Sequence, residues 1–469
     1  MSLKGIHSVY FLGIGGIGMS ALARWFTHEG YDVSGYDRTY SVLTDTLISE
    51  GISISFEDRI DMIPERILQA SENTLIIWTP AMPENSPQLN YFRENGFRLE
   101  KRSVILGKIT QAYHTIAVAG THGKTTTSSM IAHLFKFAKL PVAALLGGIT
   151  QNYQSNVILN KKKNKDTIVV VEADEFDRSF LSLHPNEVVL TSADPDHLDI
   201  YGDESSILEG FRQFLRLLRK KGKLYIQINA SQRLGDLDIP KVTKREYGLR
   251  SEGIRAENIR ARRDSFVFDY VDQKLSIKDL ELFIPGYHNV ENAIAAIAVA
   301  LGHNISDENI KEGLKTFRGV KRRFEIHLNE ADTVYIDDYA HHPEEIRSLL
   351  SSVRAMYPSR SLTVVFQPHL FSRTRDFAEG FSESLSLADQ VVLLDIYPAR
   401  EEPIPGVSAE MLLEDIEAGS KILVSKAGLI DQLKAMDIEV LVTLGAGDID
   451  RMVPEIENWL KSRKTISEL

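Results

Sequence analysis

The sequence predicts an α/β protein of three domains. Three observations carry that prediction: the length of the chain, short apolar runs alternating with helical stretches in three successive blocks, and two glycine turns that each join a strand to a helix. At 469 residues the chain exceeds what one hydrophobic core supports, since single cores seldom grow past about 250 to 300 residues. An apolar share of 43% with a charged share of 25% is that of an ordinary globular protein and argues against wholesale disorder.

The first block contains "SVYFLGIG", "YDVSGYD" and "TLIIWTPAM", apolar runs suited to buried parallel strands, with a helix expected from Met19 to Glu29 between the first two. That is a doubly wound layout, ending between Lys101 and Thr110. The second block opens on "HTIAVAG" and continues through the strands "DTIVVVEAD" and "EVVLTSAD". It also carries a basic surface loop, "NKKKNKD", and an antiparallel segment around Ser265 to Ile284, and it ends near Phe324. The third opens on "DTVYIDDYAHHPEEI" and alternates again through "SLTVVFQPH", "DQVVLLDIYPA" and "IEVLVTLGAGDI". The expected domains are therefore residues 1–108, 109–325 and 326–469: a Rossmann-like domain, a central P-loop α/β domain and a second Rossmann-like domain. No short internal repeat or low-complexity tract interrupts them.

A formal charge of −11 offers no general attraction to nucleic acid or anionic lipid, so any anion site must be built locally. The absence of cysteine excludes disulfides, thiolate metal sites and cysteine nucleophiles, and suits a cytoplasmic address. The stretch Val9 to Ala23 has the apolarity of a signal peptide, but four glycines within six positions break any continuous apolar helix there. No other segment approaches the roughly 18 apolar residues of a membrane span.

The first glycine turn is "GIGGIGMS". Gly13, Gly15, Gly16 and Gly18 satisfy the G-x-G-x-x-G spacing, while Met19 and Ser20 open the helix. Glycines permit the turn and let a pyrophosphate approach the amides at a helix N-terminus. Asp37 ends the next strand, where a carboxylate can meet a ribose hydroxyl. A dinucleotide and a UDP-sugar both present a pyrophosphate; a tight turn with no ligand is the competing reading.

The second turn is "GTHGKTT", residues Gly120, Thr121, His122, Gly123, Lys124, Thr125 and Thr126. Its amides suit phosphate oxygens, its lysine the terminal phosphates and its hydroxyl Mg²⁺. Two residues separate the glycines where the usual loop has four, which argues against an ordinary GTPase or ATPase motor. Glu172 follows the buried run of "TIVVVEADEFD", where a metal ligand beside a phosphate loop belongs. Asp174, Glu175 and Asp177 crowd close by, and a solvated acidic loop is the bland alternative. His197, in "TSADPDHLD", is a further candidate ligand, set against a structural histidine.

Taken in order, "AGTHGKTTT", "EADEFD", "DHLD", "GYHNVENA", "RRFE", "DDYAHHPEE" and "QPHLFSRTRDF" resemble the Mur ligases of bacterial peptidoglycan synthesis across nearly the whole chain. The resemblance implies that the first domain holds the UDP end of a sugar nucleotide, the second binds ATP, and the third closes over ATP and supplies the amino-acid site. Two phosphate turns then serve two nucleotides. It further implies ATP-dependent joining of L-alanine to UDP-N-acetylmuramate through an acyl phosphate, with two Mg²⁺ ions. Lys124 would contact the terminal phosphates, Thr125 and Glu172 one Mg²⁺, and His197 a second. His288, Asn289 and Asn292 match the family's adenine contacts, Arg323 a phosphate-contacting arginine, and Asp338 a carboxylate at the ATP ribose. Tyr339, His341, His369, Arg373 and Arg375 are candidates for the alanine and sugar-carboxylate pocket, with His341 a candidate base for the amine; an ion pair with a neighbouring acid is the alternative for Arg375.

Two positions depart from the family pattern: Leu370 stands where several members carry arginine, and Ser192 where relatives often have asparagine. "SILEGFRQFLRLL" lacks the lysine of the branches that add D-glutamate or a diamino acid, favouring the alanine-adding branch. Alternatives are a recycling ligase that attaches a preformed tripeptide, a nicotinamide oxidoreductase using the first domain, and a nucleotide-sensing module. No nucleic-acid partner or membrane insertion is expected, and monomer and homodimer stay open.

Overall fold

A computed structural model describes residues 5–160, 164–176, 178–195, 201, 203–239, 241–399 and 401–467. They form two compact units, one of Met1–Arg255 with Asn292–Gly313, the other of Ala256–Glu291 with Leu314–Leu469.

The first unit contains two sheets. The smaller comprises β1 (Ser8–Leu12), β2 (Asp32–Tyr36), β3 (Ser53–Ser55), β4 (Thr74–Trp78) and β5 (Arg98–Lys101), all parallel in the order β3-β2-β1-β4-β5. Strand order reverses at β1, so a crevice opens beyond its carboxyl end, where open α/β sheets take their ligands. The helix expected from Met19 spans Ile17–His28; it begins earlier because Gly16 caps it and Gly18 is taken into its first turn. Met19, Leu22, Ala23 and Phe26 are buried along it, an i, i+3, i+4, i+7 stripe that packs it on the sheet.

The larger sheet contains β6 (His114–Ala119), β7 (Val142–Thr150), β8 (Ser155–Ile158), β9 (Ile168–Ala173), β10 (Glu187–Leu190), β11 (Lys223–Gln227) and β12 (Thr243–Tyr247), in the order β12-β11-β10-β6-β9-β7-β8. The β7–β8 pair is antiparallel and the others parallel. Central strands buried on both faces explain continuous apolar runs such as Val169–Val171. One apolar core, including Phe11, Trp25, Phe26, Leu145, Val171 and Phe211, runs through both sheets.

In the second unit β13 (Arg255–Ala261), β14 (Phe266–Val271) and β15 (Ser276–Leu282) form a three-stranded sheet, and the antiparallel β14–β15 pair lies within the segment expected to be antiparallel. A six-stranded sheet follows, built from β16 (Glu325–Asn329), β17 (Val334–Asp338), β18 (Leu362–Phe366), β19 (Gln390–Leu393), β20 (Ser420–Leu423) and β21 (Val440–Leu444). Its order is β16-β17-β21-β18-β19-β20, parallel apart from β16–β17. Its own core gathers Tyr335, Val365, Val392, Leu441 and Ile456. The three doubly wound sheets follow the three blocks of the sequence. The unit division differs, passing through the helix Tyr287–Gly302 and leaving the first two sheets on one core. Among the described residues no helix is long and apolar enough to cross a membrane.

Candidate active site

The glycine turn leaves β1 at Gly13. Its φ is +86°, and a Cβ there would lie 2.8 Å from the Thr79 side chain; both features demand glycine. Gly15 donates its N–H to Asp37 Oδ2 at 2.7 Å, and Thr39 N–H reaches Oδ1 at 2.9 Å. The Asp37 carboxylate thus pins the turn from the end of β2. A cavity of about 360 Å³ opens over the turn, lined by Gly13, Gly16, Gly18, Met19, Asp37, Arg38, Thr39, Thr79, Met82 and Arg102. Ser20 does not face it. Its hydroxyl donates to the Ile17 carbonyl and accepts from Asn156, and the residue is fully buried. The helical period turns position 20 inward toward the second sheet, away from the turn's ligand face.

The phosphate loop connects β6 to the helix Lys124–Phe137. Gly120 (φ +127°) passes so close to β10 that a Cβ would meet the Ser192 backbone N at 2.7 Å, and Gly123 (φ +80°) caps the helix beneath the Asn292 amide. Ser192 holds the loop: its Oγ accepts the His122 N–H at 2.7 Å and lies 2.9 Å from Thr121 Oγ1. Lys124 Nζ donates to the Gly120 carbonyl at 2.6 Å and to Glu175 Oε1 at 2.8 Å. Burial acts to lower the Lys124 pKa, but Glu175, Asp174 and Glu172 outweigh it and hold the ammonium charged. Thr125 Oγ1 donates to Glu172 Oε2 at 3.0 Å, and Ser128 Oγ to Oε1 at 3.3 Å. Burial pushes the Glu172 carboxyl up, against the opposing pull of the Gly147 N–H and Lys124. The Thr126 side chain is buried in the first turn of the helix. His197, expected as a metal ligand, and Asp177 lie outside the described residues.

In the second unit, burial drives His288 down to a pKa of about 4, with Glu345 opposing and Arg323 reinforcing that shift. Its Nδ1 lies 3.0 Å from Ser348 Oγ. Asn289 turns back on its own helix and donates to the Pro285 carbonyl at 2.7 Å. Arg323 stands over the Tyr339 ring at 5.2 Å and 3.7 Å from Glu345. Both oxygens of Asp338 accept backbone N–H groups, from Phe324 at 2.6 Å and Ala340 at 2.7 Å; burial nevertheless raises its pKa to about 6.

The structure brings Tyr339, His341 and His369 together, with ring centroids 5.2 Å and 6.3 Å apart along that series. His341 Nδ1 lies 2.9 Å from the Tyr339 carbonyl, which can only accept, so the proton sits on Nδ1 and Nε2 is the basic nitrogen. His369 stacks on Tyr397. Arg373 is buried in the short helix Phe371–Asp376, whereas Arg375 on the same helix is exposed and bonds to Asp376 at 2.7 Å. Arg375 is not brought to the group, because two positions along an α-helix turn side chains 373 and 375 to different sides. Leu370 precedes that helix, buried and at φ +68°, a left-handed conformation rare for a branched side chain.

Family models match three segments: "Mur ligase family, catalytic domain" over residues 8–114, "Mur ligase middle domain" over 118–300, and "Mur ligase, glutamate ligase domain" over 322–449. The chain belongs to the Mur ligase family. Among Mur ligases, it is 48% identical to a UDP-N-acetylmuramate--L-alanine ligase of Flavobacterium psychrophilum, covering 99% of this chain and 100% of that one. It is 44% identical to the protein of the same name from Cytophaga hutchinsonii, covering 99% of each. A solved structure of the UDP-N-acetylmuramate-alanine ligase of Thermotoga maritima superposes with a TM-score of 0.79 at 28% identity, covering 97% of this chain and 99% of that one.

Three residues of this Mur ligase join the candidate groups although none was given a role there from sequence alone. Arg102 lines the cavity of the glycine turn and lies 4.0 Å from Asp174. Glu345 accepts the His341 N–H at 3.1 Å. Glu175, part of the acidic run, anchors Lys124. For Glu345 and Glu175 the available signal is their place inside "DDYAHHPEE" and "EADEFD"; Arg102, at the edge of the first block, offers none.

Proposed function

We propose that this Mur ligase joins L-alanine to UDP-N-acetylmuramate at the expense of ATP, through an acyl phosphate, and so adds the first amino acid in peptidoglycan synthesis. The observation that carries the proposal is the phosphate loop, with Lys124, Thr125 and Glu172 converging at the end of β6, in a chain that matches L-alanine ligases at 44% and 48% identity along its length. Residues 1–108 would take the sugar nucleotide in the cavity over Gly13–Gly18, with Arg102 and Arg38 as cations for its pyrophosphate. Residues 109–325 would take ATP, and 326–469 the amino acid.

The chemistry explains the inventory. A carboxylate is a poor acyl donor, so the lactyl carboxylate attacks the γ-phosphate and ADP departs. The amine of alanine then attacks the acyl phosphate, and the tetrahedral adduct expels phosphate to leave an amide. Negative charge gathers in both steps, and Lys124, released from Glu175 toward the phosphates, stabilises it. Thr125 and Glu172 present adjacent oxygen donors, a hard set that fits Mg²⁺; bound there, the ion supplies charge neutralisation to the phosphates. We assign a second Mg²⁺ to His197 on the resemblance. His288, Asn289 and Asn292 are assigned to the adenine, Arg323 to a phosphate and Asp338 to the ribose. Tyr339, His369 and Arg373 are assigned to the carboxylates, and His341 Nε2 is the base that takes the amine proton.

The test is ADP release with ATP and Mg²⁺. Turnover is expected only when UDP-N-acetylmuramate and L-alanine are both present, with ¹⁸O from the lactyl carboxylate recovered in the phosphate. No turnover with that pair, or turnover with a tripeptide in place of alanine, would overturn the reading.

A further inference from the structure

We propose that the end of the larger sheet remote from the phosphate loop, where its central strands β6 and β10 begin, carries a second, transition-metal site, formed by His114, Glu187 and His303 and suited to Zn²⁺ or Co²⁺. His114 opens β6 and Glu187 opens the neighbouring strand β10, while the phosphate loop follows the far end of β6. Five residue steps along β6 put about 17 Å between the two places. His303 arrives from just beyond the helix Tyr287–Gly302.

Both imidazoles aim Nε2 at the same carboxylate oxygen, His114 at 3.1 Å and His303 at 2.9 Å from Glu187 Oε1, and the three ligand atoms lie within 4.8 Å of one another. Ligands bound at about 2.0–2.2 Å around a tetrahedral ion stand roughly 3.3 Å apart, so small adjustments would admit the metal. Two imidazoles and one carboxylate form a donor set for zinc-class ions, and water can take the fourth position.

A second observation also points to a ligand. Glu187 is 2% exposed, yet its Oε2 has no hydrogen-bond partner among the described residues while Oε1 receives every donor. Leaving a buried carboxylate oxygen bare is costly, and a water on the metal, donating to Oε2 while Oε1 ligates, would satisfy it. Lys223 Nζ, 3.3 Å from Oε1 and 3.2 Å from the Gly302 carbonyl, is the resident cation that an arriving metal displaces. His114 is 43% exposed, so the site opens to solvent on that side.

Titrating the full-length protein with Co²⁺, under excess Mg²⁺ to occupy the hard oxygen sites, tests the proposal. One equivalent with visible absorption bands of tetrahedral Co²⁺ is expected at micromolar metal. His303→Ala and His114→Ala should each lose that equivalent and its bands, His114→Ala with ligase turnover unchanged, and Lys223→Met should bind about tenfold tighter. Absence of the bands in the wild-type protein, or their persistence in both histidine variants, would overturn the site and leave an ion cluster only.

Discussion

Lys124 and Glu175 form a nearly buried ion pair, with side chains 16% and 0% exposed. Removing one partner of such a pair leaves an uncompensated charge in a poorly solvated place, at a cost of about 3–5 kcal/mol. Lys124→Met is therefore expected to lower stability by that order and to reduce turnover at least 10²–10³-fold, the scale of losing one preorganised donor to developing charge. Adding Glu175→Gln should restore most of the stability, measured by urea denaturation, and none of the ADP release. His288 and Asp338 titrate in opposite senses. The folded-state pKa of His288, about 4, lies below its unfolded value, so its contribution is present above pH 6.5 and is lost as pH falls through 4. That of Asp338, about 6, lies above its unfolded value, so its contribution is present below pH 3.8 and is lost as pH rises through 6. The two slopes largely cancel between pH 4 and 6. Asp338→Asn is expected to make stability climb with pH across that window and His288→Gln to make it decline; denaturation midpoints at pH 4, 5 and 6 decide it.

The short phosphate loop is braced from the segment that follows a neighbouring strand. Ser192 at the end of β10 accepts the His122 N–H, which fixes the loop in place before any nucleotide arrives. Ser192→Ala leaves that amide without its acceptor, at about 1–3 kcal/mol, and should weaken ATP binding about tenfold in calorimetry with little change in secondary structure. Gly120→Ala is the harsher change, since it adds a Cβ at φ +127° against the Ser192 backbone. It should abolish ATP binding, and a variant that binds ATP normally would show that the loop is not braced in this way. At the glycine turn the same device appears with a different partner, the Asp37 carboxylate taking the Gly15 N–H.

The first two sheets share one apolar core, and Arg24 ties them together through a polar link. That guanidinium is 7% exposed, pairs with Glu50 at 2.7 Å and also bonds to the Asn156 carbonyl oxygen, whose amide nitrogen in turn reaches Ser20 and the Ile17 carbonyl. The first unit is therefore expected to melt as one cooperative transition in scanning calorimetry, apart from the core of the second unit. Arg24→Ala should lower or split that first transition, because it strands Asn156 inside.

Both glycine turns, the strand-helix alternation and the order of the motifs were legible in the sequence, because each is a local pattern: period, glycine and spacing act within a few residues. Tertiary structure alone decided which way side chains turn and what they meet. Ser20 bonds to a residue 136 positions away, and Arg102 lines the turn from a stretch with no motif. Arg375 is spent on Asp376 while Arg373, two residues before it, is buried. The His114, Glu187 and His303 cluster draws on strands and a helix far apart in the chain, and no spacing rule reaches across them. Chain order fixes local geometry through sterics and hydrogen bonding. Long-range partnership depends on which sheet edges and helix faces the packing of the core brings side by side.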